Sequence, residues 1–160
     1  MNCRAGIGFD AHRLVAGRRL ILGGVEIPFD RGLLGHSDAD VLTHAIMDAV
    51  IGAMGLGDIG QHFPDTDDTY KDASGIGLLG GVRMMAERNS YEVINIDAVI
   101  SAQAPKLSLY FAGMKDNIAG ALRISPDVVN VKATTEEGLG YTGDGSGMSA
   151  RAVCLLCKKE

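Results

Sequence analysis

Three side chains stand at spacings that suit a metal ion: Asp10, His12 and His44. Asp10 and His12 are two apart, and in an extended strand such residues point to the same face. A carboxylate oxygen beside a neutral imidazole nitrogen suits zinc or a similar first-row divalent metal. Alone, the pair also reads as a strand-end acid next to a surface histidine. A second cluster, Gly35-His36-Ser37-Asp38-Ala39-Asp40, leads into His44. On a helix, Asp40, His44 and Asp48 fall at i, i+4 and i+8 along one polar stripe. An imidazole with a carboxylate one turn to either side resembles a metal ligand held by outer partners; a solvated acidic face is the alternative. His36 precedes the expected helix start, where free N–H groups favour anions. Three of the four histidines lie at 12, 36 and 44, within the first third of the chain.

Two further segments carry chemistry. Val131–Gly140 runs from apolar residues through Thr134 and Thr135 to Glu136 and Glu137, then glycines. Hydroxyls and backbone N–H groups can hold phosphate oxygens, and a glutamate can hold a hard cation such as Mg²⁺; a polar hairpin turn has the same composition. Ser101–Lys106, between an expected strand and helix, could read a base through backbone groups. Cys154-Leu-Leu-Cys157 has C-x-x-C spacing but an apolar strand pattern, in which residues three apart face opposite sides. These read as buried structural thiols.

The elements that position these groups follow from periodicity. Strands are expected over 4–9, 93–101, 128–134 and 150–157, with a hairpin over 20–28 turning at Gly23-Gly24. Helices are expected over about 39–54, capped by Ser37 or Asp38, over 75–89 with Leu78, Val82 and Met85 on one face, and over 107–122. This is an α+β pattern: one domain over 1–160, with helices packed on one face of a mixed, mainly four-stranded sheet.

Composition narrows the functional classes. The chain has 160 residues, 46% of them hydrophobic, 22% charged and 5% aromatic, which excludes disorder. A net charge of −5 counts against nucleic acid as a partner. No apolar run reaches the ~18 residues of a membrane span, and the first residues lack the blocks of a signal peptide. Three cysteines, an odd number, fit a reducing compartment, so a cytoplasmic protein is expected.

Taken in order, Gly8–His12, Leu33–Asp40, Gly57–Gly60, Phe63–Asp67, Ala102–Lys106 and Val129–Thr135 resemble the motifs of the 2-C-methyl-D-erythritol 2,4-cyclodiphosphate synthase family, over essentially the whole chain. The resemblance implies a homotrimer with active sites between subunits. It also implies a lyase of the non-mevalonate isoprenoid pathway. Its substrate would be 4-diphosphocytidyl-2-C-methyl-D-erythritol 2-phosphate, whose 2-phosphate attacks the β-phosphate and expels CMP. Asp10, His12 and His44 would bind zinc, and Glu137 a magnesium or manganese ion. His36 and Thr135 would stabilise the transition state. Asp58, Ile59 and Gly60 with Phe63, Pro64, Asp65, Thr66 and Asp67 would hold the methylerythritol. Ala102, Gln103, Ala104, Pro105, Lys106, Leu107 and Ser108 would hold the cytosine. Ala11, Ser37, Thr134, Glu136, Tyr141 and Asp144 complete the implied substrate contacts.

The sequence departs from the family pattern at Glu136, commonly Thr, at Asp144 and Ser146, usually Arg and Glu, and at Asp72–Gly75. Two other readings use the same residues. A zinc phosphodiesterase would activate water with these ligands. A nucleotide-binding module would carry structural zinc, although such sites are usually closed and cysteine-rich.

Overall fold

The structure, a computed structural model, describes residues 2–159. Its backbone is a five-stranded sheet of order β4-β1-β7-β5-β6. Strand β1 (Cys3–Ala16) pairs antiparallel with β7 (Gly147–Lys158) from Cys3↔Cys157 to Arg13↔Gly147. On its other side, β1 pairs with β4 (Arg31–Leu33). β5 (Tyr91–Ser101) lies antiparallel to β7 and parallel to β6 (Val129–Thr134). The four strands expected from periodicity are present. The fifth, β4, has three residues, too few for an alternating pattern to register. β2 (Leu20–Leu22) and β3 (Val25–Ile27) form the separate hairpin, turning at Gly23-Gly24 as expected.

Strand β1 also runs seven residues further than the expected 4–9, because its alternation continues through polar residues. Gly6, Gly8, Asp10, His12 and Leu14 share one face by their spacing. On β5 the alternation breaks, with a register shift between Val93 and Asn95. Tyr91 faces inward before the irregularity, and Ile96, Ala98 and Ile100 after it, which leaves Ile94 exposed.

Helices α1 (Val41–Met54), α3 (Gly75–Arg88) and α4 (Phe111–Leu122) close over one side of the sheet, and α2 (Ile59–His62) is a single turn beyond α1. Nearly every α1 residue is buried, which makes it the central helix of the core. It starts two residues later than expected. Ala39 sits at φ +56, outside the helical region, and Asp40 is the cap, accepting from Thr43 N. On α3 the fully buried stripe is Leu79, Val82 and Ala86, one residue round from the expected face. The expected 107–122 helix begins only at Phe111, after a 3₁₀ turn over Ser108–Tyr110.

The sheet brings α1 unusually close. A Cβ on Gly8 would lie 2.0 Å from the Ala45 carbonyl oxygen, and one on Gly6 would lie 1.9 Å from that of Ala49. Helix backbone therefore rests on strand backbone, one turn of α1 per alternate residue of β1. Arg4 donates to the Met54 carbonyl at 3.1 Å and ties down the far end. Gly8→Ala is expected to cost about 3 kcal/mol through overpacking, lowering the melting temperature by roughly 10 °C. Gly80→Ala, on a helix position where a Cβ meets nothing, is expected to leave it unchanged or raise it. Equal melting temperatures for the two variants, by calorimetry, would refute the close approach.

The cysteines differ from expectation. Cys154 is free and buried, and burial pushes its thiol up to about 11. Cys157, on the opposite face of β7, is joined to Cys3 across the β1–β7 pair. The odd count hid one partner at the far end of the chain. Among the described residues, no helix is long and apolar enough to cross a membrane.

Candidate active site

The close packing of α1 on β1 carries His44 over Asp10. His44 Nδ1 lies 3.0 Å from Asp10 Oδ2, and His12 Nε2 lies 2.9 Å from the same oxygen. The three ligand atoms fall within 4.8 Å of one another. Although close to Asp10, His12 Nε2 is buried and has no hydrogen-bond partner. Three donors converging on one point, one of them orphaned, is the arrangement a divalent cation would satisfy, so the residues fit a metal ion.

The other ring nitrogens are held as well. His12 Nδ1 lies 2.9 Å from the Leu34 carbonyl and must donate to it, leaving Nε2 as a lone pair. His44 Nε2 lies 3.3 Å from Ser37 Oγ, a hydroxyl that can donate or accept, and its Nδ1 faces Asp10. These partners replace the carboxylates expected from the i±4 stripe. Asp40 and Asp48 do not contact the His44 ring: Asp40 binds Gly23, Gly24 and Thr43, and Asp48 accepts from Ile59 N at 3.2 Å.

Burial raises the Asp10 pKa, but the two imidazoles beside it, at 2.9 and 3.0 Å, outweigh that and hold the carboxyl well below the usual range. Burial lowers that of His44, yet the Asp10 hydrogen bond and the nearby carboxylates raise it above 6.5. An incoming metal must displace the proton His44 retains. Its affinity is therefore expected to climb as pH rises through and beyond 6.5, with proton release, as zinc competition against a chelator would measure. An affinity flat from pH 6 to 8 would contradict this.

The cluster opens into a cleft of about 390 Å³. Around it stand His36, Ser37, Ile59, Gly60, Phe63, Pro64 and Asp65 from the expected site set. Gly35, Tyr70 and Leu78 also line it. Gly35 stood in the expected His36 cluster and Leu78 on the expected helix face, neither as a site residue, and Tyr70 carried no signal in the sequence; Tyr70 meets Phe63 edge-on at 5.4 Å. Asp58 caps α2 by accepting from Gln61 N, and Asp67 accepts from Thr69 N. Asp58, Thr66 and Asp67, expected in the site, are not among the residues lining the cleft.

A second cleft, about 380 Å³, is lined by Ala102 through Ser108 together with Thr134 and Thr135. Asp10 pairs with Ala150, Ala150 with Ile100, and Ile100 with Ala133. Three strand steps, about 14 Å, therefore separate the two clefts within one chain.

In the following loop, Thr135 Oγ1 donates to Glu137 Oε1 at 2.8 Å. Glu136 turns instead to Thr142 Oγ1 at 2.5 Å and lies 3.9 Å from Arg151. Tyr141, in the single helical turn Gly140–Gly143, borders Ala11, and the Asp144 carboxylate is taken up by Ser146.

A sequence profile described as the YgbB family matches residues 3–157. The chain belongs to the YgbB family. Among its relatives, a protein of Clostridium perfringens named 2-C-methyl-D-erythritol 2,4-cyclodiphosphate synthase is 59% identical, over 97% of this chain and 99% of its own. The bifunctional IspDF structure from Campylobacter jejuni aligns with TM-score 0.95 and 42% identity, over 99% of this chain and 43% of that one. The Plasmodium falciparum IspF–CDP complex aligns with TM-score 0.87 and 32% identity, over 99% and 98%. The similarity to YgbB relatives thus spans Asp10, His12, His44 and both clefts.

Proposed function

We propose that the chain, acting as one catalytic domain over 1–160, cyclises 4-diphosphocytidyl-2-C-methyl-D-erythritol 2-phosphate to 2-C-methyl-D-erythritol 2,4-cyclodiphosphate. A 2-phosphate oxygen bonds to the β-phosphorus, the bond from that phosphorus to the CMP oxygen breaks, and CMP leaves. The observation that carries this reading is the open Asp10–His12–His44 cluster at the floor of a cleft. Three Asp/His ligands leave a position for substrate, unlike a closed structural site.

In this reading Asp10, His12 and His44 hold zinc, and Glu137 holds magnesium or manganese. When bound, the ions neutralise phosphate charge and align nucleophile with leaving group. The chain's own residues supply position. His36 and Thr135 face the transferring phosphoryl group, and the 58–67 rim holds the methylerythritol. Ala102–Ser108 takes the cytosine, the moiety present in the CDP complex of the Plasmodium falciparum relative. Since a phosphate of the substrate is the nucleophile, excluding water protects the cyclic product.

The two clefts lie about 14 Å apart in one chain, and the helix-free sheet face exposes Ile7 (72%), Phe9 (50%) and Val153 (45%). A homotrimer that buries this face and brings one chain's metal cluster to its neighbour's cytosine cleft accounts for both. Incubation of the purified protein with the cytidyl substrate, zinc and magnesium, followed by ³¹P NMR, tests the activity. A cyclic diphosphate and CMP are expected; linear phosphates alone would make the chain a hydrolase.

A further inference from the structure

Asp40 is fully buried, and among the described residues no cationic side chain pairs with it. Its carboxylate is instead saturated by four donors. Gly23 N and Thr43 N reach Oδ1 at 2.9 and 3.0 Å, while Gly24 N and Thr43 Oγ1 reach Oδ2 at 2.7 Å each. Capping a helix needs one acceptor, which a serine or threonine supplies without a buried charge. The other contacts join the helix to the β2–β3 turn. That turn has no room to shift: Gly23 and Gly24 sit at φ +56 and +69, and a Cβ on either would strike Met114 or Ile76.

His44 follows directly. Its N–H donates to the Asp40 carbonyl at 2.9 Å in the first turn of α1. Both its ring nitrogens are engaged, by Asp10 and by Ser37. The ring therefore cannot reorient freely, and the place of Nδ1 depends on where the first turn of α1 stands. We infer that Asp40 is a positioning residue of the metal centre, anchoring that turn to the Gly23–Gly24 turn so that His44 Nδ1 stands over Asp10. This rests on the metal-site reading above.

Asp40→Asn keeps the shape but turns an amide NH₂ towards one pair of donors. It is expected to weaken zinc about tenfold or more, the range for partners that orient ligands, as measured by chelator competition on folded protein. Ile118→Ala, a buried change on α4, is expected to lower the melting temperature while leaving zinc affinity within twofold. A folded Asp40→Asn protein with zinc affinity within twofold of the parent would overturn the inference, as would an equal zinc loss in Ile118→Ala. If Asp40→Asn does not fold, Thr43→Val decides. Removing one donor should weaken zinc severalfold, and unchanged affinity would overturn the proposal. The parent and His44→Ala, run alongside, separate the two readings: a parent without one zinc per chain removes the metal site itself.

Discussion

Asp10→Ala should abolish stoichiometric zinc binding and lower turnover by at least about 10³-fold, at the upper end of what losing one electrostatic contact costs an active site. One oxygen, Oδ2, carries both histidine contacts, at 2.9 Å to His12 and 3.0 Å to His44. Without it, two imidazoles face each other with no anion between them, and the low pKa that keeps this carboxyl ionised has no counterpart in alanine. Asp10→Asn separates charge from shape. It retains an oxygen but loses the negative charge, and should lose zinc nearly as fully. Zinc content by mass spectrometry and cyclic product by ³¹P NMR provide the two readouts. A variant that keeps one zinc per chain and turnover within tenfold would remove Asp10 from the metal centre.

The Asp10–His12 pair was legible because alternation along β1 puts both on one face. Its union with His44 depends on the packing of α1 on β1, which no local period carries, and was implied by the family motifs. The partners of those histidines were less legible. A helical wheel offers Asp40 and Asp48 as neighbours of His44, but Asp40 is the cap, and its carboxylate is spent on the glycine turn. Side chains on a helix lean towards its N-terminus, so the ring reaches back to Ser37. The Leu34 carbonyl that orients His12 is a backbone group, which no residue type announces. Cys3 and Cys157 are 154 residues apart, and only the β1–β7 register brings them together. The irregularity in β5 likewise follows from pairing with β7 and leaves Ile94 exposed where simple alternation would have buried it.

Ile7→Asp should convert the proposed trimer to monomers and lower turnover more than about 10²-fold, on the scale of losing substrate positioning, while leaving zinc affinity within a few-fold. Ile7 stands opposite Val153 on the helix-free face, beside Phe9, which Arg151 covers at 5.1 Å. A carboxylate introduced there would be desolvated on assembly without a partner. The metal ligands all lie in one chain, on the other face of β1, so the monomer retains its zinc. The cytosine cleft is three strands away in that same chain, and a monomer cannot bring it to its own metal. Light scattering gives the mass, and dilution of the parent protein gives an independent check, because turnover per chain should fall as trimers dissociate. A monomeric Ile7→Asp protein with full turnover would place both clefts' work within one chain and end the shared-site reading, without touching the metal centre.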